Sequence, residues 1–321
     1  MLVLLMGLFV IGLLVSSCGT SFFAMWVGLE LSTLVTYPWV ASTGKSEMLC
    51  SSLFKLLVLQ VISSAMLYMG VVILWSFEGS WTLSMPVTVV SLYMKFGGVF
   101  MGWLAILLES LSWWGVFLVA GLQKLPAMVV LMGVVRSFEC NYMVMSGFAL
   151  AIMGLVGVKM YSTRGFMLAS SVLNMGWIWC ACSADACLGL SFFLFYVVSF
   201  CGVCVALSSL KSQSYTSLFN SSRMTLVECG AFWALSGLPP FALFFYKVDV
   251  LYLLVHEGFI VVAGILCMLS ATIVYMYMHL ILSSAVFSDV SQLHKEVQPQ
   301  VLVLVAVVCT VMAGYIVFWV A

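Results

Sequence analysis

Charge is what this sequence has least of. Of 321 residues, 11 are Lys or Arg, 11 are Asp or Glu and 3 are His, so charged residues make up 7% and the net charge is zero. Soluble domains carry about a quarter charged residues, so a soluble globular fold is excluded. A neutral chain has no electrostatic footprint for nucleic acid or an acidic partner. The sequence contains no HExxH zinc motif, no haem-attachment CxxCH, no phosphate loop and no dinucleotide fingerprint, and its histidines are far apart. The chain is therefore expected to bind no metal and no redox cofactor itself. No basic segment precedes the first apolar run, which argues against a cleaved signal peptide and makes Met1 the expected start of a mature helix.

Apolar residues fill the space that charge leaves. They make up 65% of the chain, and the mean hydropathy is +1.24. This composition predicts an all-α polytopic membrane protein. A membrane span needs about 20 apolar residues. On that ruler the chain holds about eleven transmembrane helices, near 2–18, 20–41, 49–75, 84–108, 112–135, 142–160, 164–183, 187–210, 226–254, 258–284 and 299–320. The loops are short. The longest are Lys211–Thr225 and Ser284–Gln298, the second carrying Asp289, His294, Lys295 and Glu296.

Basic residues outside the spans predict the orientation. With eleven spans, Lys45, Lys159, Arg164, Lys211, Arg223 and Lys295 fall on the side of the N-terminus and only Arg136 on the other. The positive-inside rule then puts Met1 on the cytoplasm-like side and Ala321 across the membrane. Trp75, Trp81, Trp113, Trp114 and Trp319 are expected as interface anchors, and Trp26, Trp103, Trp177 and Trp233 as core. Most of the eleven cysteines lie in apolar runs. Cys201 and Cys204 have CxxC spacing on a buried helix, where thiols act as small hydrophobes.

Prolines number only six, and two are adjacent. Pro239 and Pro240 interrupt the apolar run 226–254, remove two backbone donors and clash with the turn before them. A broken helix is expected there, with Lys247 about two turns beyond the break. A second break is expected at Gly97-Gly98, beside Lys95. Broken helices survive in lipid only inside protein or along a wet cavity, and together with an intramembrane charge they point to an ion path. The breaks are five helices apart. Five is odd, so two five-helix units, 1–135 and 136–284, would be inverted relative to each other, followed by a loop and last helix over 285–321.

The few ionisable residues inside spans are the candidate functional residues: Glu30, Lys95, Lys124 and Lys247, with Lys55 a weaker candidate. Each charge at mid-bilayer costs about 2.5–3.5 kcal/mol, and four cost on the order of 10–14 kcal/mol, which structure alone rarely requires. Bland readings stand beside these. Lys247 can snorkel to an interface, Lys55 and Glu228 lie nearer helix ends, Asp249 reads as an end residue, and His279 reads as a packed histidine. Buried lysine and glutamate hold their charges loosely, so each responds to a proton or charge arriving beside it. A chain of such groups with water between them is a proton relay.

Five segments carry a resemblance. They are Trp26-Val-Gly-Leu-Glu30, Met94-Lys95-Phe-Gly97, Gln123-Lys124-Leu-Pro126, Ala169-Ser-Ser-Val-Leu-Asn-Met-Gly-Trp177, and Gly237-Leu-Pro-Pro-Phe241 with Lys247. In this order and spacing the chain resembles the NADH dehydrogenase subunit 2 family, the mitochondrially encoded antiporter-like membrane subunit of respiratory complex I. Lys55 with Gln60 is similar to a lysine–glutamine pair of that family. The resemblance implies an antiporter-like fold in the mitochondrial inner membrane, N-terminus in the matrix and C-terminus in the intermembrane space. It implies proton translocation with Glu30 paired to Lys95, Lys124 on a central hydrophilic axis, and Lys247 toward the far side or the neighbouring subunit. NADH, FMN, iron–sulfur clusters and ubiquinone would be handled by other subunits. The implied partners are neighbouring antiporter-like and small hydrophobic membrane-arm subunits, and lipid, cardiolipin included. The same fold and lysines would also serve a stand-alone cation/proton antiporter.

The chain departs from the family pattern in places. After Lys95 the family continues Ala-Pro-Phe-His-x-Trp, whereas this chain reads Gly97-Gly-Val-Phe-Met-Gly-Trp103. Asn174 stands in place of a histidine, Gly165 in place of a lysine, and Phe245-Tyr246 in place of Tyr-Pro. The first break must then rest on glycine alone.

Overall fold

In lipid every backbone N–H and C=O must find its partner within the protein, and a helix provides this locally. The computed structural model describes residues 2–19, 21–42, 47–76, 81–99, 101–135, 137–157, 162–209, 226–239 and 241–286, with 303, 307, 308 and 310. The described elements are all helical. They are α1 (Leu2–Cys18), α2 (Phe22–Ala41), α3 (Glu47–Ser76), α4 (Trp81–Phe96), α5 (Met101–Glu109), α6 (Trp113–Phe117), a π-helical turn (Leu118–Leu122), α7 (Lys124–Val135), α8 (Cys140–Gly157), α9 (Thr163–Ala184), α10 (Ala186–Ser209), α11 (Leu226–Ser236), α12 (Ala242–His256) and α13 (Ile260–Val286). Among the described residues, five stretches are long and apolar enough to cross a membrane: Cys50–Ser76, Trp113–Val135, Thr163–Ala184, Ala186–Ser209 and Ile260–Leu282. Most of the expected helix over 299–320, the loop 211–225, most of the loop 284–298, and Lys45, Arg136, Lys159, Lys295 and Trp319 lie outside the described residues. So do the side chains of Trp81 and Trp103.

The chain divides into two compact units, Met1–Ser146 and Gly147–Ala321. In the first, α1 packs on α2, α3 on α4, and α7 against α1, α2 and α4. Small residues bring the first pair together. A Cβ on Gly12 would lie 3.0 Å from the Ser32 amide, and one on Gly28 would collide with the Ser16 backbone, an antiparallel register with no room for side chains. In the second unit α9 is buried along its length and packs with α10 and α12. Its seam with α8 is built the same way. A Cβ on Gly176 would lie 2.6 Å from Ala151, and one on Gly147 2.9 Å from Cys180.

Two helix breaks share one geometry. At the end of α4, Gly97 has φ +86, its N–H donates to Met94 O at 3.2 Å, and Gly98 N–H donates to Tyr93 O at 2.8 Å. At the end of α11, Gly237 has φ +75, its N–H donates to Ala234 O at 3.3 Å, and Leu238 N–H donates to Trp233 O at 3.4 Å. This is the glycine-capped helix end, in which a left-handed residue turns two amides back onto the last carbonyls. A different irregularity precedes α7. Gln123 N–H reaches Leu118 O, five residues back, at 2.9 Å, which gives the π-turn.

Several surface expectations change. Trp75 and Trp114 are exposed, but Trp113, expected at an interface, is buried. Arg164, counted among the basic loop residues, is buried in the first turn of α9. His279, expected as a packed histidine, is exposed on α13 with its ring 6.3 Å from that of Tyr275.

Candidate proton-transfer site

In the first unit Glu30 on α2 and Lys95 on α4 interact beside α3, and Lys124 lies on α7, which packs against α2 and α4. Lys95 occupies the last turn of α4, where the partial negative charge of the helix end favours a cation. Its side chain is 6% exposed, and its Nζ donates to the backbone carbonyl of Gln60 on α3 at 2.8 Å. The Ser63 hydroxyl donates to that same carbonyl at 2.7 Å. Glu30, at the middle of α2, interacts electrostatically with Lys95, and Thr33 Oγ1 reaches its Oε2 at 3.4 Å. Glu30 Oε1 is buried with no hydrogen-bond partner.

Lys124 opens α7 directly after the π-turn and is 3% exposed. A π-turn widens a helix locally and re-aims the residues that follow, and such turns gather at functional sites. The residue before it, Gln123, donates from Nε2 to the Tyr37 hydroxyl at 3.3 Å. Tyr37 is buried on α2 and interacts electrostatically with Glu30. A polar string therefore runs from Gln123, adjoining Lys124, through Tyr37 to Glu30 and Lys95. Tyr37 carries no signal in the sequence, because a lone tyrosine in an apolar helix reads as packing or an anchor.

Lys247 belongs to the second unit. It lies on α12 and is 6% exposed, so it does not snorkel. Its Nζ turns back to the break and donates to Ser236 O, the carbonyl at the end of α11, at 3.0 Å. The ammonium also lies 6.0 Å from the centroid of the Trp177 ring on α9, within cation–π range. Glu228, near the start of α11, is buried and accepts a hydrogen bond from Ser209 Oγ at 2.9 Å. Its place near a helix end fits snorkelling or an end ion pair as well as a functional role, and its burial is against snorkelling.

Lys55 stands apart from these groups. It is exposed on α3, whereas Gln60 is buried. Five residues on a helix turn the chain by about 140°, so the two face different surroundings. Among the described residues no group of three or more His, Cys, Asp or Glu is placed to hold a metal ion. Cys201 and Cys204 are both free thiols.

No protein-family model matches the chain. Known proteins do. The chain is 25% identical over 285 residues to NADH-ubiquinone oxidoreductase chain 2 of Paracentrotus lividus, covering 84% of this chain and 80% of that protein. With chain 2 of Locusta migratoria it shares 24% identity over 307 residues, 92% of this chain and 87% of that one. The chain is a distant, full-length homologue of NADH-ubiquinone oxidoreductase chain 2. Chain 2 of Branchiostoma floridae is 28% identical over 248 residues, 73% of this chain and 71% of its own. Among solved structures, respiratory complex I from Thermus thermophilus contains a chain that matches with TM-score 0.84 at 19% identity, covering 98% of this chain and 77% of that one. A chain of the Mrp complex from Dietzia sp. matches less closely, with TM-score 0.74 at 13% identity. These likenesses show an all-helical, antiporter-like membrane fold.

Proposed function

We infer that this chain is a membrane-arm subunit of the proton-pumping NADH:ubiquinone oxidoreductase and takes part in proton translocation. The observation that carries this reading is the burial of Lys95, Lys124 and Lys247 beside two helix breaks and a π-turn, in a full-length homologue of chain 2. Glu30 and Lys95 form the first proton-transfer pair. Lys124 passes protons onward along the interior, and Lys247 connects toward the far side or the adjoining subunit. Lys55 takes a lesser part, from the exposed face of α3. NADH, FMN, iron–sulfur clusters and ubiquinone are handled elsewhere in the complex.

The geometry suggests how the groups act. An ammonium has three N–H donors, and among the described residues Lys95 and Lys247 each donate to one backbone carbonyl. The remaining N–H groups are free to meet water. In a medium of low dielectric, a charge arriving nearby is felt strongly. A proton that neutralises Glu30 removes the partner charge of Lys95 and loosens its proton.

Two inverted five-helix units, 1–135 and 136–284, followed by a loop and helix over 285–321, are supported by the shared hydrogen-bond pattern at Gly97 and Gly237. The basic residues outside the spans support a matrix N-terminus and an intermembrane-space C-terminus in the mitochondrial inner membrane. The partners are neighbouring antiporter-like and small hydrophobic subunits, with lipid such as cardiolipin between them.

The test is proton translocation per NADH oxidised, in assembled complex, with Lys124→Met. Methionine keeps the volume and removes the charge. Assembly with lowered translocation is expected, and an unchanged ratio and rate would overturn the relay. Reconstituted alone, the chain is expected to exchange no cation for protons. Such exchange would favour the antiporter reading.

A further inference from the structure

Asn174 lies at the middle of α9 and is completely buried, yet neither its Oδ1 nor its Nδ2 has a hydrogen-bond partner. Three residues on, the indole Nε1 of Trp177 is completely buried and has none either. An unsatisfied buried group costs about 1–3 kcal/mol, and native proteins leave few of them. Three such atoms on neighbouring side chains call for a partner of matching chemistry.

The helix geometry narrows the choice. Ser170, Asn174 and Trp177 fall at i, i+4 and i+7, on one face. Leu173, Gly176 and Cys180, which meet α8, lie roughly a quarter-turn away by the 100° step of a helix. The polar stripe is thus distinct from the tight α8 seam. Positions 174 and 177 are about 4.5 Å apart along the axis, a gap that one or two waters span. At one end of the stripe the hydroxyls of Ser170 and Tyr277 bond each other at 2.8 Å. At the other, the Trp177 ring stands beside the Lys247 ammonium.

The partner must accept from the indole N–H and the amide N–H, and donate to the amide oxygen. A metal cation accepts nothing, and a fully ionised anion donates nothing. Water does both, and a buried water typically makes about three such bonds. The Lys247 ammonium supplies further donors, since among the described residues Ser236 O is its one hydrogen-bond acceptor.

We propose that α9 carries a buried water site between Asn174 and Trp177, and that one or two waters held there hydrate the Lys247 ammonium. Asn174 and Trp177 are positioning residues. Neither titrates near neutral pH, so they hold the water without competing for its proton. The water site stands on the unpaired atoms. Its link to proton transfer rests on the function proposed above.

A high-resolution density map of the assembled complex tests the site. Water density within about 3.2 Å of Trp177 Nε1 and the Asn174 side chain is expected. A dry region, or an Asn174 amide paired with protein atoms, would overturn the proposal. Asn174→Leu has similar volume and no polar atom. It is expected to lose the water and lower the rate of NADH-driven proton translocation by roughly threefold to tenfold, the effect of one hydrogen-bonded contact on a barrier. Asn174→His restores a donor and an acceptor and is expected to recover both. If Asn174→Leu does not assemble, the unsubstituted map and the histidine variant decide. Water present in the unsubstituted complex but unchanged translocation on its loss keeps the site and overturns the role given to Lys247.

Discussion

Lys247 fills the space that a side chain at Gly237 would need. A Cβ built on Gly237 would lie 2.9 Å from Lys247 Nζ, and the glycine itself has φ +75. The break and the lysine are therefore one construction. The chain turns left-handed at Gly237, and the ammonium enters the hollow this leaves and takes the Ser236 carbonyl.

Gly237→Ala is expected to impair the complex in two ways. A left-handed non-glycine residue costs roughly 1–2 kcal/mol, and the methyl group displaces Lys247. Gly258 is the control, with φ +91 and nothing within 4 Å of a Cβ. Gly258→Ala bears the backbone cost alone. Proton translocation per NADH should fall further in the Gly237 variant, and equal losses would show that the space around Lys247 is unimportant.

Tyr37→Phe removes the hydroxyl that Gln123 meets and leaves the ring in place. A single hydrogen bond contributes about 0.5–1.5 kcal/mol, so assembly should hold. Coupled turnover should fall several-fold if the string from Lys124 to Glu30 carries protons, and full turnover would remove Tyr37 from it.

Glu30→Gln and Lys95→Met should not be additive. Residues that interact directly show coupling of about 0.5–3 kcal/mol in a double-mutant cycle. The rate of proton translocation in the two single variants and the double variant measures it. Simple additivity would separate the two charges functionally.

Gly176→Val tests the α8–α9 seam, where a Cβ already lies 2.6 Å from Ala151. Overpacking of a closed interface costs about 1–3 kcal/mol or more. Loss of assembled complex on native gels is expected. Gly264, with nothing within 4 Å of a Cβ, should accept valine with assembly intact.

The sequence revealed depth along the chain better than direction around a helix. Both breaks were legible because Gly97-Gly98 and Pro239-Pro240 interrupt long apolar runs. Which way each lysine points was not legible. Helices that are apolar nearly all round carry no stripe to separate inside from outside, so nothing in the sequence around them marks Lys55 as facing outward or Lys95 as facing inward, although one is exposed and the other buried.

Glu228 shows a related confusion. A residue near the end of a span reads as interfacial, but nearness to the membrane surface and burial within the bundle are separate quantities, and this carboxylate is 1% exposed. Trp113 and Trp114 differ in the same way, one inside and one outside at the same depth. The π-turn at Leu118–Leu122 left no trace at all, because an extra residue in a helical turn has no composition of its own.

Lys95 and Lys247 both rest on main-chain carbonyls, those of Gln60 and Ser236. Such an acceptor exists whatever side chain its residue bears. An alanine survey of positions 60 and 236 would pass silently over the two places where these cations are moored. The same feature lets spelling drift while the mooring stays, and a chain that has kept about a quarter of its letters in common with its relatives can still hold both charges in place.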